Sequence, residues 1–145
     1  MRHMGRPPMT RDESAESVAR YTAHWRDHGF GLLAVEDRET GTLIGRSGVA
    51  YHRMWRHDPE VGWGVDPDWW GRGLATEAGR ACVEWGFGEL GFERLVSITT
   101  EDNLPSRRVM AKLGFRLLEQ RRDPRLDLVL WIHSLRRDDA SRAAR

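Results

Sequence analysis

Residues 68–79, DWWGRGLATEAG, set two glycines between a pair of tryptophans and a run of small, helix-favouring residues. Glycine lets the backbone curl tightly, so that successive N–H groups can point at one spot. The first N–H groups of a helix have no internal partner, and the aligned peptide dipoles add partial positive charge there. The chemistry on offer is anion binding, which suits phosphate best; the alternative is a plain tight turn before a helix. Gly71-x-Gly73-x-x-Thr76 lacks the third small residue of a dinucleotide fingerprint. No Gly-Lys-Ser/Thr follows either, as an NTPase phosphate loop would require.

Other reactive side chains sort less sharply. Cys82 lies in mid-helix among Ala78, Ala81 and Trp85, the setting of a small core residue rather than a nucleophile. The six histidines show no tight spacing with cysteines or acids, so no metal is expected. A single cysteine excludes an internal disulfide framework and fits a reducing cytoplasm. No apolar run reaches the length of a membrane span, and the first ten residues lack the apolar centre of a signal peptide. A net charge of +1 argues against a general polyanion binder, and no basic-aromatic RNA motif is present, so nucleic acid is not an expected partner.

These residues need elements to position them, and 145 residues suffice for one domain with a single core. Ser14 can cap a helix to about His28, with Val18, Tyr21 and Trp25 on one side and Gly29 as its stop. Residues 30–37 and 42–52 read as a strand hairpin, 53–59 as a loop and 60–65 as a third strand ended by Asp66-Pro67. A helix follows from Leu74 or Ala75 to Leu90, closed by Gly91, then a β-branched strand at 93–100. Residues 101–114 read as a loop and short helix stopped by Gly114. Strands at 115–121 and 126–135 complete an α-β-β-β-α-β-α-β-β order, an α/β domain with a mixed central sheet and flanking helices. The expected division is an N-terminal extension at 1–13, the domain at 14–135 and a frayed, charged tail at 136–145.

Two segments resemble a known family when taken together. Residues 60–99, from EVGWGV through DWWGRGLATEAG to ERLVSIT, followed by NLPSRRVMAKLGF, resemble the GNAT superfamily of acetyl-CoA-dependent N-acetyltransferases. The likeness covers residues 14–134 and is nearest to the branch that acetylates the N-termini (alanine) of ribosomal proteins; HWRDHGFGLLAVEDRETGTLIGRSGV shares it. The resemblance implies acetyl-CoA as co-substrate, its pyrophosphate on the backbone of Gly71, Arg72, Gly73, Leu74, Ala75 and Thr76. It implies strands at 60–65 and 93–99 that splay into an acetyl-CoA cleft, with the pantetheine arm pairing near Val65 and Asn103 and Ser106 on its far side. Trp69 and Trp70 would wall the loop. Three features depart from the family. Trp70 stands where Gln or Arg is common, Met110 stands where many members carry a tyrosine general acid, and nothing before residue 14 reads as the family's first strand.

Acetylating an amine requires removing its proton and supplying one to the departing sulfur. Glu60 opens the strand that leads into the cleft and is the expected base; an exposed strand-end charge is its plainer reading. His52 and His57 flank the preceding loop and could act through water, although solvent-facing roles fit them better. With methionine at 110, Ser106 becomes the candidate acid as well as an anchor. Residues 102–125 carry seven basic and three acidic side chains, a solvated face or an attraction for the 3′-phosphate of CoA. The expected partner is an amine acceptor, a protein N-terminus or a small molecule. The competing readings are an antibiotic or polyamine acetyltransferase, with Asp58 and Glu60 as an acidic pocket, and a non-catalytic acetyl-CoA-binding module. A bare apolar edge at FGLLAVED makes a homodimer a further expectation.

Overall fold

The computed structural model describes residues 7–143. Its elements are α1 (Arg11–His28), β1 (Leu32–Glu36), β2 (Leu43–His52), β3 (Trp55–Val65), α2 (Leu74–Phe87), β4 (Arg94–Thr100), α3 (Leu104–Leu113), β5 (Arg116–Asp123), β6 (Leu128–Arg136) and α4 (Arg137–Ala143). The strands form one mixed sheet in the order β1-β2-β3-β4-β6-β5. Every neighbouring pair is antiparallel except β3 and β4, which run parallel. The core fills the face covered by α2 and α3, where Val49, Val61 and Leu95 meet Cys82, Val83, Met110 and Leu113.

Four expectations about the elements change. Thr10, not Ser14, caps α1: its hydroxyl accepts from the Glu13 N–H while the Glu13 carboxylate accepts from the Thr10 N–H. This reciprocal box satisfies two terminal donors and starts the helix at Arg11. Val18 turns out to solvent, 61% exposed, and Ser17 is the buried residue of α1. Second, residues 55–59 are strand rather than loop. The turn at 53–54 is clamped from a distance: Arg53 bonds both carboxylate oxygens of buried Asp123, and Arg121 donates to the Met54 carbonyl. Pro59 sits where the β2–β3 register shifts between Ala50 and His52, a position that tolerates its missing donor.

Third, α2 ends at Phe87 instead of Leu90, with the Gly88 N–H bonding the Glu84 carbonyl. Gly79 and Gly86 lie inside it and are buried; side chains there would meet Leu113 and Leu95 at 2.9 Å, so both glycines set how closely α2 packs. Fourth, the end of the chain is not frayed throughout. Residues 137–143 form α4, held through Arg137 to Glu93 and to the Phe92 carbonyl.

Candidate functional site

The mouth of the site is built by local chain geometry. Asp66 caps a single 3-10 turn at Pro67–Trp69 by accepting from the Asp68 N–H. Gly71 and Gly73 then take positive φ angles of +78° and +73°, and α2 starts at Leu74 with no side-chain bond at its cap. The leading N–H groups of α2 therefore have neither an internal partner nor a capping side chain. A Cβ at Gly71 or Gly73 would meet nothing within 4 Å, so these glycines serve the backbone angle and leave the loop open to a ligand.

Both tryptophans brace this loop. The Trp70 indole donates to the Val65 carbonyl at 2.7 Å, fastening the loop to the end of β3, and Arg72 stacks 4.7 Å above the Trp69 ring. Gly71, Arg72 and Gly73 are exposed, whereas Leu74, Ala75 and Thr76 are half-buried. A groove runs on from Gly73 and Thr76 between α2 and α3, with Arg80 and Lys112 in its lining. Of the basic residues at 102–125, Lys112 reaches this groove; Arg121 and Arg122 are paired to Glu119 and Asp127.

The apex is built by the sheet. Strands β3 and β4 share the register pair Glu60↔Val96 and no other, so they part immediately beyond it. Side chains span the gap in place of ladder bonds. The Glu60 carboxylate accepts from the Ile98 N–H at 2.9 Å, and the Ser97 hydroxyl donates to the Val61 carbonyl at 2.9 Å. Backbone groups alternate in direction along a strand, so those of Trp63 and Val65 turn toward the gap as Val61 does. An extended amide-bearing arm would find its hydrogen bonds there. Asn103 and Ser106 stand at the start of α3, beyond the end of β4. Asn103 is buried and caps α3 by accepting from the Ser106 N–H at 3.3 Å, while the Ser106 side chain is half-buried.

Burial pushes the Glu60 carboxyl up to about 7, against the opposing pull of the Ile98 N–H and the Arg46 guanidinium. Arg46 is oriented by Tyr21 of α1, whose hydroxyl accepts from it at 3.0 Å. The other candidates do not join this group. His52, held below its ordinary value by burial and Arg53, accepts from the Met54 N–H in the hairpin turn. His57 is exposed against the edge of Trp55. Asp58 is occupied by Arg94 at 2.8 Å and by the Trp55 indole at 3.1 Å. Cys82 is buried 3.3 Å from Ser47, with its thiol pushed up by burial, and Met110 is a core residue at 2% exposure.

Among the described residues no group of three or more His, Cys, Asp or Glu could hold a metal ion, and no helix is long and apolar enough to cross a membrane. Sequence reasoning missed Ser97, Ile98 and Arg46. The alternation of the strands places Arg46 on the Glu60 face, but only the register reveals the other two.

Known proteins resemble this chain in sequence and in fold. Over 79 residues the chain is 38% identical to the uncharacterized N-acetyltransferase YnaD of Bacillus subtilis, covering 54% of this chain and 46% of that one. It is 30% identical over 105 residues to YoaA of the same organism, also an uncharacterized N-acetyltransferase, covering 72% and 59%. The chain thus spans about half the length of the curated relatives it matches. The crystal structure of the acetyltransferase from Agrobacterium tumefaciens superposes with a TM-score of 0.77 at 28% identity, over 90% of this chain and 75% of that one. The ribosomal-protein-S5-alanine acetyltransferase from Vibrio fischeri shares the fold, with a TM-score of 0.74 at 19% identity over 92% and 79%. The acetyltransferase (GNAT) domain family matches residues 1–116, and together with the split sheet and the glycine loop this match makes the chain a member of that family.

Proposed function

We propose that this protein transfers an acetyl group from acetyl-CoA to a primary amine, with the amine attacking the acyl carbon directly. The observation that carries this reading is the Glu60 carboxyl, lifted to about 7 at the point where β3 and β4 part. A base of that strength holds its proton loosely near neutral pH and can take one from an incoming ammonium group. Acetyl-CoA would supply the activated acyl group. The exposed glycine loop and uncapped α2 terminus are the chain's fit to its pyrophosphate, supported by open space over Gly71 and Gly73. Backbone of Trp63 and Val65 would pair with the pantetheine arm. Asn103 and Ser106 would flank it, with the Ser106 hydroxyl relaying a proton from water to the departing sulfur.

The acceptor is a protein N-terminus or a small-molecule amine. A polyamine needs several free carboxylates, and Asp58 is already spent on Arg94 and Trp55. Self-association is proposed through β1, an edge strand with Leu33 47% exposed, and the lone buried Cys82 fits a cytoplasmic setting. Light scattering that returns a monomer at high concentration would remove the dimer. Release of free thiol from acetyl-CoA, measured against peptides, polyamines and aminoglycosides, tests the activity. Acetyl-CoA binding by calorimetry without thiol release from any amine would leave a non-catalytic binding module.

A further inference from the structure

The glycines of β2 and β3 have different causes. A side chain at Gly45 would run into the backbone of Gly64, and one at Gly48 into the backbone of Gly31 and Leu32. Close approach of another strand explains both. Gly62 has neither that explanation nor the conformational one. Its φ is not positive, and a Cβ built on it meets nothing within 4 Å. A glycine inside a strand weakens it relative to alanine and commonly marks a bulge or the close approach of a ligand or another backbone. The β2–β3 irregularity lies between Ala50 and His52 and no backbone crowds Gly62, which leaves a ligand.

The surroundings indicate which ligand. Val61 and Trp63 pack toward α2 and α3, so alternation turns Glu60 and Gly62 to the opposite face. The cross-strand partner of Gly62 is Gly48, which also brings no side chain, and Ala50 stands opposite Glu60. The Glu60 carboxylate thus borders a floor at Gly62 that carries no side chain, with Arg46 on the same face, away from the α2 terminus that would hold the phosphates.

We propose that Gly62 is the floor of the acceptor subsite and a specificity-determining position, leaving room for the carbon that bears the acceptor's amine beside Glu60. This rests on the reading of Glu60 as the base.

Two variants test it in the full chain. Gly62→Leu folds, because the backbone there is ordinary strand, and it melts at or above the wild-type temperature. For any amine of the panel that the wild type acetylates, it lowers kcat/KM by roughly tenfold or more, with the KM for acetyl-CoA within about twofold of wild type. Unchanged amine kinetics overturns the proposal.

The second readout needs no acceptor. Gly62→Cys is treated with N-ethylmaleimide and weighed intact, against a wild type whose one cysteine is buried. The introduced thiol is expected to label equally well with and without saturating acetyl-CoA, and the labelled protein to bind acetyl-CoA normally. Protection by acetyl-CoA would give the space to the cofactor arm, and failure to label would show it closed; either overturns the proposal. A wild type that binds no acetyl-CoA and acetylates no amine instead overturns the function proposed above, while the labelling still decides whether the floor is open.

Discussion

At the mouth of the cleft, residues 71–76 follow one another in the chain, and their geometry comes from two positive-φ glycines and the first turn of a helix. At the apex, Glu60, Ser97 and Ile98 come from two strands that α2 separates in sequence, and their geometry exists only because those strands pair once and then part. The mouth is therefore local, and its geometry is that of any uncapped helix start after a glycine turn. The apex depends on the whole sheet, and only there does a carboxyl acquire a proton affinity useful at neutral pH. On the proposed reading, cofactor binding and chemistry are divided between two kinds of structure, and each would be damaged without the other.

Glu60→Gln separates the two most strongly. With the true amine, kcat is expected to fall by about 10²–10⁴-fold while calorimetry finds acetyl-CoA affinity unchanged. The wild-type rate should rise with pH through about 7 as the carboxylate forms, and the variant should lack that inflection. Near-full turnover by the variant across the pH range would make the apex structural. The converse change is Gly73→Val. A β-branched residue at φ +73° is strained and blocks the approach to backbone N–H groups, so acetyl-CoA affinity should drop at least roughly tenfold. Retained affinity with an intact circular dichroism spectrum would place the phosphates elsewhere.

The raised Glu60 pKa also predicts a stability effect. A carboxyl that holds its proton more tightly when folded favours the fold at low pH, and that contribution is lost as pH rises from about 4.5 through about 7. Glu60→Gln keeps an acceptor for Ile98 and removes the buried charge. Thermal melts should show it more stable than wild type by about 2 kcal/mol at pH 8, with little difference near pH 4. Equal melting at pH 8 would mean that the carboxylate is well solvated. Asn103→Ala removes the α3 cap and should cost about 1 kcal/mol in denaturant unfolding. The smallest effect belongs to Ser106→Ala. As an anchor only, the hydroxyl would change the KM for acetyl-CoA by less than about tenfold. A loss of kcat at saturating acetyl-CoA would instead assign it the proton transfer.

The order of strands and helices, the glycine loop, and Asn103 at the head of α3 were legible because each rests on contacts within a few residues. The start of α1 is written in the Thr-x-x-Glu spacing of Thr10 and Glu13, although Ser14 offers a second capping residue four positions on. The strand at 55–59 was not legible. Its polar composition signals a loop, and a carboxylate and a guanidinium from the far hairpin, Asp123 and Arg121, clamp the turn at 53–54 from which it starts. Glu60 could be named as the candidate base from its position at the start of EVGWGV. Its proton affinity could not, because a carboxyl titrates according to the water it loses and the charges it faces. Local hydrogen bonding and backbone sterics act between chain neighbours, so the sequence alone determined the glycine turn at the head of α2 and the succession of elements. Desolvation and strand register act between residues far apart in the chain, so only the tertiary structure decided where the sheet splits, which carboxyl stands in the split, and which glycine leaves the floor beside it open.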